Sequence, residues 1–466
     1  MQPDPTPPDT TPPPRAYRCQ CGRPVFFRNS ECLACHTPLG FDPDHARLLP
    51  LAPGPQPDTW LPWDEPEGRP LQRCANFHTA AGCNWMVPVP EPGDPPPPPV
   101  APAIPMNALP AEAAAPEGAD GAAASAAVVE AAATDPTLVA SAQAEQAPVV
   151  AASDAPVRAA GPLCRACALN RTIPDLSVEG NADLWRRIEL AKRRLVSQLL
   201  LLGLPVQSRA EDPARGLAFD LLRAAPGGPR VMTGHASGVI TLNVEEADDA
   251  VREKVRADMR EPYRTLLGHF RHEIGHYYWD RLVLDSPWLE PFRTLFGDER
   301  EDYGAALQRH YQNGPAPDWP LRFVSSYAST HPWEDWAESW AHYLHMVDTV
   351  DTARSFGVNA ADVDLDHEPF GPAALWQPDA PDAQAFLDFV NDWIRLTAVF
   401  NELSRSMGQH DFYPFVLPAA AVGKLQFIHQ VVQAAGAAPA ASSVPMTQAP
   451  LADASPDVAA PQPTPA

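Results

Sequence analysis

All eight cysteines of this 466-residue chain lie between Cys19 and Cys167. Cys19 and Cys21 form C-x-C, Cys32 and Cys35 form C-x-x-C, Cys74 and Cys83 are more widely spaced, and Cys164 and Cys167 form a second C-x-x-C. Cysteines paired at such spacing can turn both sulfurs to one point, and two pairs can enclose a metal ion. The start, "MQPDPTPPDTTPPP", has neither the basic nor the apolar segment of an export signal. A cytoplasmic chain is therefore expected, with the thiols reduced and the pattern read as metal binding rather than disulfides.

"YRCQCGRPVFFRNSECLACHTPLG" presents Cys19, Cys21, Cys32 and Cys35 as four thiolates, with Gly22 and Gly40 nearby for tight turns. The expected structure is a zinc ribbon. Cys74, Cys83, Cys164 and Cys167 can form a second zinc site if the chain between them loops out. Lengthening a closed loop from ~10 to ~80 residues costs about 2 kcal/mol. Structural zinc contributes ~10–16 kcal/mol, so the long loop does not forbid the second site. One or two structural zinc ions are expected.

That loop is low-complexity. Many of the 58 prolines fall in it and in the two ends of the chain. Residues 88–161 lack aromatic residues and apolar periodicity, and read as a disordered Ala/Pro-rich insert. Residues 1–14 and 436–466 read as disordered tails. Between them lie a ribbon region at 15–87, its end at 162–180, and a globular body at 181–435. In the body, "NADLWRRIELAKRRLVSQLLLLGL" has helical periodicity, as do four later segments, the first of them broken by a turn near Pro262. "GLAFDLLRA" and "RVMTGHASGVITLNV" read as strands, the second bent at Gly234 or Gly238. A small sheet with a mainly helical body is an α+β arrangement.

The formal charge of −24 argues against general nucleic-acid binding, which needs a basic surface. No run of ~18 apolar residues is present, so no membrane span is expected.

"GHFRHEIGHYYWDRL" contains H-E-x-x-H. Positions i and i+4 of a helix share a face, so His272 and His276 can present ring nitrogens to one ion. Glu273 then sits beside the ion without binding it, as a zinc protease requires. Leu266, Leu267, Phe270, Ile274, Tyr277, Tyr278 and Trp279 surround the motif, so the helix reads as buried. Buried polar groups need partners, and a metal supplies one. Asp280, four residues after His276, could orient an imidazole. His235 could line the cleft, although a lone loop histidine is more often structural; His269, His342 and His345 read as structural histidines.

A third zinc ligand is needed. The metzincin pattern requires Gly at 279 and His at 282, but the chain has Trp279 and Leu282. A Glu from a second helix remains. "SSYASTHPWEDWAESWAHYLHM" offers Glu334 in the first turn after Pro332, with His331 as a possible cap. Glu334, Ala337, Glu338 and Ala341 form one stripe, and the alanines would let two helices approach closely. Glu334 is the expected ligand; Glu338 is the alternative, or otherwise an acceptor for an imidazole N–H.

"ECLACHTPLGFDP", "CNWMVP", "LNRTIPDLS", "TGHASGVITLNVEEADDAVRE", "GHFRHEIGHYYWDRL" and "HPWEDWAESWAHYLHM" together resemble the zinc-binding metallopeptidases that carry an N-terminal zinc ribbon. The resemblance implies a zincin-like peptidase domain over 181–435 and zinc-dependent peptide hydrolysis. "EDWAE" is similar to the E-x-x-A-E of some gluzincins, where a Tyr seven residues before the ligand faces the ion; Tyr327 falls there. The mechanism implied has a zinc-activated water, Glu273 as general base and Tyr327 as oxyanion donor. The expected partner is a peptide or protein substrate, with the ribbon available to a protein partner. "GVITLN" could offer a sheet edge to an extended peptide. The rival reading is a non-catalytic ribbon adaptor that uses a peptidase-like body for binding; the intact Glu273 favours the enzyme.

Overall fold

The computed structural model describes residues 15–94, 103–106, 161–224, 228, 231–259 and 261–437. The expected N-terminal tail, most of the expected insert and the C-terminal tail from 438 onward lie outside these residues; Gly436 and Ala437, placed in that tail, are helical. The N-terminal region opens with a hairpin of β1 (Tyr17–Arg18) and β2 (Pro24–Val25). An antiparallel meander follows: β3 (Leu39–Asp42), β4 (Arg47–Pro53), β5 (Thr59–Pro62), β6 (Leu71–Arg73) and β7 (Met86–Pro88). Leu49, Leu51, Leu71 and Met86 form its small core.

A second sheet belongs to the body. It contains β8 (Ile104–Pro105), β9 (Asn170–Ile173), β10 (Ala218–Leu222), β11 (Gly234–Ala236) and β12 (Val239–Asn243), in the order β11-β12-β10-β9-β8. Only the β11–β12 pair is antiparallel. It turns at Ser237 and Gly238, both with positive φ (47° and 82°), as a two-residue hairpin turn requires. Three expectations change here. Pro88 and Ile104–Pro105, placed in the disordered insert, are strand residues. β9, placed at the end of the ribbon region, pairs with β10 of the body. "GVITLN" is not a sheet edge, because β12 is flanked by β11 and β10; the edge strand is β11.

The helices are α1 (Asn181–Leu201), α2 (Asp249–Asp258), α3 (Leu266–Tyr278), α4 (Leu289–Phe296), α5 (Tyr303–Asn313), α6 (Trp319–Arg322), α7 (Pro332–Ser355), α8 (Ala383–Ser406) and α9 (Ala419–Ala437). The fold is α+β: a zinc ribbon followed by a mainly helical domain. None of the described helices is long and apolar enough to cross a membrane.

α7 is the central post, packing on α3 along one side and on α9 along another. Trp336 and Trp340 are fully buried between them. Asp348 of α7 joins three parts of the chain. Arg15, ahead of the ribbon, lies 2.8 Å from it. Arg194 of α1 and Arg271 of α3 donate to it at 2.9 and 2.7 Å. Burial opposes its charge, but Arg271, Arg194 and Arg15 hold its carboxyl well below the usual carboxylate range.

Candidate metal and active site

α3 and α7 cross at a glycine. A Cβ at Gly275 would lie 3.1 Å from Ala337 Cα and 3.2 Å from Trp340 Cβ. The Trp336 indole donates to the Gly275 carbonyl at 2.8 Å. Thr265 caps α3 by accepting from Gly268 N at 3.0 Å. His331 caps α7, its Nδ1 accepting from Trp333 N at 3.1 Å. These caps and the close crossing fix the two polar stripes against each other.

The structure brings His272, His276 and Glu334 together, with one ligand atom of each within 4.8 Å of the others. His272 Nε2 lies 3.1 Å from Glu334 Oε2, and His276 Nε2 lies 3.7 Å from Glu334 Oε1. Glu338 takes the other role considered for it. Its Oε1 accepts from His272 Nδ1 at 2.8 Å, and its Oε2 accepts from Ser325 Oγ at 2.6 Å. A carboxylate can only accept, so the proton of a neutral His272 is on Nδ1 and Nε2 offers a bare lone pair. That lone pair faces Glu334 Oε2, a buried atom with no hydrogen-bond partner. Two imidazole nitrogens and a buried carboxylate converging on one point are a donor set that fits a cation, and this set suits zinc.

Electrostatics differ sharply among these groups. Burial raises the Glu334 pKa, but His276 and His272 outweigh it and bring it down to about 2. Burial lowers His276 to about 3, so its imidazole is neutral. Burial also acts on His272, yet Glu334 and Glu338 raise its pKa well above the ordinary value. Glu273 is half-buried and pushed up to about 7, first by burial and then by Glu334 against the opposing His272.

Other site residues come from distant parts of the chain. The Tyr303 hydroxyl donates to Glu334 Oε1 at 2.7 Å. Tyr327 lies beside Tyr303, and its ring centre is 6.0 Å from that of His272. The Trp333 ring covers His276 at 4.0 Å. His235, on the edge strand β11, lies 6.4 Å from the His276 ring. Its Nε2 accepts from Gly238 N at 3.0 Å. Burial and Arg209 lower its pKa to about 4. Tyr303 was not foreseen from the sequence, and no local pattern points to it. Asp280 is a correction: among the described residues no hydrogen bond joins it to either imidazole, and His276 Nδ1 has no partner. α3 passes into a π-turn over Trp279–Val283, so helical spacing does not carry to Asp280. His269 faces Glu246, His342 pairs with Tyr413, and His345 Nδ1 lies 2.6 Å from Arg271 Nη1.

The cysteines gather into two groups, Cys19, Cys21, Cys32 and Cys35, and Cys74, Cys83, Cys164 and Cys167, each set within 4.8 Å. Sulfur separations are 3.5 Å for Cys19–Cys35, 3.8 Å for Cys21–Cys32 and 3.6 Å for Cys83–Cys164. Sulfurs around tetrahedral zinc with ~2.3 Å bonds stand ~3.8 Å apart, so both groups fit the ion. None of the eight forms a disulfide. Cys21 and Cys35 of the first group are exposed, whereas the second group is wholly buried.

Residues 181–431 match the family described as "Putative zinc-binding metallo-peptidase". The chain belongs to this family. Residues 16–94 match a zinc-ribbon domain. The peptidase match spans α1 to α9 and includes both faces of the His272, His276 and Glu334 cluster. The uncharacterized protein Rv2568c of Mycobacterium tuberculosis is 38% identical over 421 residues, covering 90% of this chain and 95% of its own. The uncharacterized protein Mb2598c of Mycobacterium bovis matches with the same identity and coverage. No solved structure gives a significant match.

Proposed function

We propose that this chain is a zinc-dependent peptidase in which His272, His276 and Glu334 hold the ion and Glu273 is the general base. The observation that carries the reading is the convergence of His272 Nε2, His276 Nε2 and the Glu334 carboxylate within 4.8 Å of one another, beside a Glu273 whose pKa burial raises to about 7. Bound there, zinc supplies Lewis-acid polarisation of a carbonyl and eases deprotonation of water. Glu273 takes the proton of the attacking water and passes it to the departing amine. A group with a pKa near 7 can do both at neutral pH. Tyr327 donates to the oxygen on which negative charge develops. Tyr303 holds Glu334. An extended peptide lies along β11, whose outer edge is free of other strands among the described residues, beside His235. A purely binding role gives no use to an acid set beside the ligands with its pKa raised.

The two cysteine groups hold structural zinc, giving one catalytic and two structural ions per chain. The site's setting is peptide chemistry in a soluble cytoplasmic protein, with the ribbon free to take a protein partner. Digestion of a diverse peptide library by zinc-loaded protein tests the reading. Cleavage that chelation abolishes and added zinc restores is expected; zinc held at His272, His276 and Glu334 with no cleavage of any peptide would favour the adaptor.

A further inference from the structure

The second cysteine group meets the peptidase body at α1 and at β9, the strand that follows Cys167 and pairs with β10. Cys74 and Cys83 come from the ribbon region, Cys164 and Cys167 from beyond the insert, and α1 lies against all of this. Arg193 of α1 is 1% exposed. Its Nη2 donates to the Ala81 carbonyl at 3.1 Å, within the ribbon's loop between Cys74 and Cys83. Its Nη1 has no hydrogen-bond partner. Among the described residues the carboxylate paired with it is Glu189, whose Oε2 lies 3.9 Å from Nη1 and 4.0 Å from the Cys167 sulfur. Glu189 Oε1 accepts from Lys192 Nζ at 2.7 Å and from Asn170 Nδ2 at 2.8 Å. So two buried cations share one buried anion.

A buried positive charge in excess of the buried anions is unfavourable. Four neutral thiols would leave this imbalance standing. Four thiolates around a zinc ion carry a net charge of about −2 and would more than offset that surplus of one positive charge. Cys83, Cys167 and Cys164 all act on the Arg193 charge, with Cys83 ahead of Glu189 once burial is set aside. We infer that Arg193 is the counter-charge of a zinc centre formed by Cys74, Cys83, Cys164 and Cys167, and that this centre is the joint fastening the ribbon to the peptidase body. The inference rests on the reading of this group as a zinc site. The same helix α1 also carries Gln198, which lies beside the active site. Gln198 accepts from Arg271, the neighbour of His272, at 2.8 and 3.1 Å, and donates to the Leu344 carbonyl of α7 at 2.6 Å.

The test is chelator competition on the full zinc-loaded chain, with the thiolate-to-metal absorption of the cobalt-substituted chain as signature of four-cysteine coordination. Arg193→Met is expected to weaken one of three zinc equivalents about 10–100-fold, the usual cost of losing a partner just outside the ligands. The other two equivalents keep their affinity, and Arg193→Lys retains most of the lost affinity because it keeps the charge. Wild-type affinity for all three ions in Arg193→Met overturns the inference. Should Arg193→Met not fold, Arg193→Lys and Arg193→Gln decide: equal zinc affinity in these two overturns it. Cys164→Ser that loses no zinc equivalent shows instead that the centre holds no zinc, and removes the underlying reading together with the role of Arg193.

Discussion

Glu338 accepts the Nδ1 proton of His272 at 2.8 Å, and this contact decides which face of the imidazole looks at Glu334. Ser325 holds the other oxygen of Glu338, and the Ala328 amide donates to the same Ser325 hydroxyl at 3.1 Å. The orientation of His272 and the short helical turn carrying Tyr327 therefore share one anchor.

Replacing Glu338 by Gln keeps the shape but offers an amide that can present N–H as well as oxygen. The tautomer of His272 is then no longer imposed. Zinc affinity at the site is expected to fall about 10–100-fold, read by chelator competition, with the two cysteine centres unchanged.

Tyr303 and Tyr327 lie side by side but do different work. Tyr303→Phe removes the hydroxyl that, among the described residues, donates to Glu334 Oε1, so that oxygen loses its partner. An altered visible spectrum of the cobalt-substituted protein is expected. Tyr327→Phe should leave that spectrum unchanged and lower kcat about 10²–10³-fold, as for loss of one oxyanion donor.

The crossing of α3 and α7 depends on the missing side chain at Gly275. Gly275→Ala forces a methyl within 3.1–3.2 Å of Ala337 and Trp340. The expected cost is about 1–3 kcal/mol, seen as a lowered midpoint in urea unfolding of the zinc-loaded protein.

The helix pair was legible in the sequence because helical spacing is a local rule. It places His272, His276, Glu334, Ala337 and Glu338 on facing stripes without reference to the rest of the fold. Tyr303 and Trp333 reach the site through tertiary packing. Tyr303 lies on a separate helix from Glu334, and nothing near it in sequence marks it. Asp280 was misjudged for a local reason, the π-turn that begins at Trp279 and changes the angle per residue. The edge strand was misplaced by a few residues because the Ser237–Gly238 turn divides what reads as one bent strand. The cysteines were legible as pairs. That Arg193 lies against the second group depends on how α1 packs, which spacing does not convey.

Asp348 gives a pH prediction. Its folded-state pKa is depressed by three arginines, so its stabilisation is fully present above the unfolded value of about 3.9 and is lost as pH falls below it. Asp348→Asn leaves buried cations without their anion and should cost about 3–5 kcal/mol at pH 7. The gap between wild type and variant should narrow below a pH of about 4, measured by urea unfolding across a pH series.

The most direct measurement is turnover and zinc content on one preparation of Glu273→Gln. The amide keeps the size of the side chain and cannot take a proton, while His272, His276 and Glu334 are untouched. Zinc at the site is expected to match wild type, with turnover of a peptide that the wild type cleaves reduced at least about 100-fold. Wild-type turnover in Glu273→Gln, or loss of the zinc along with the activity, would contradict the assignment of Glu273 as the base.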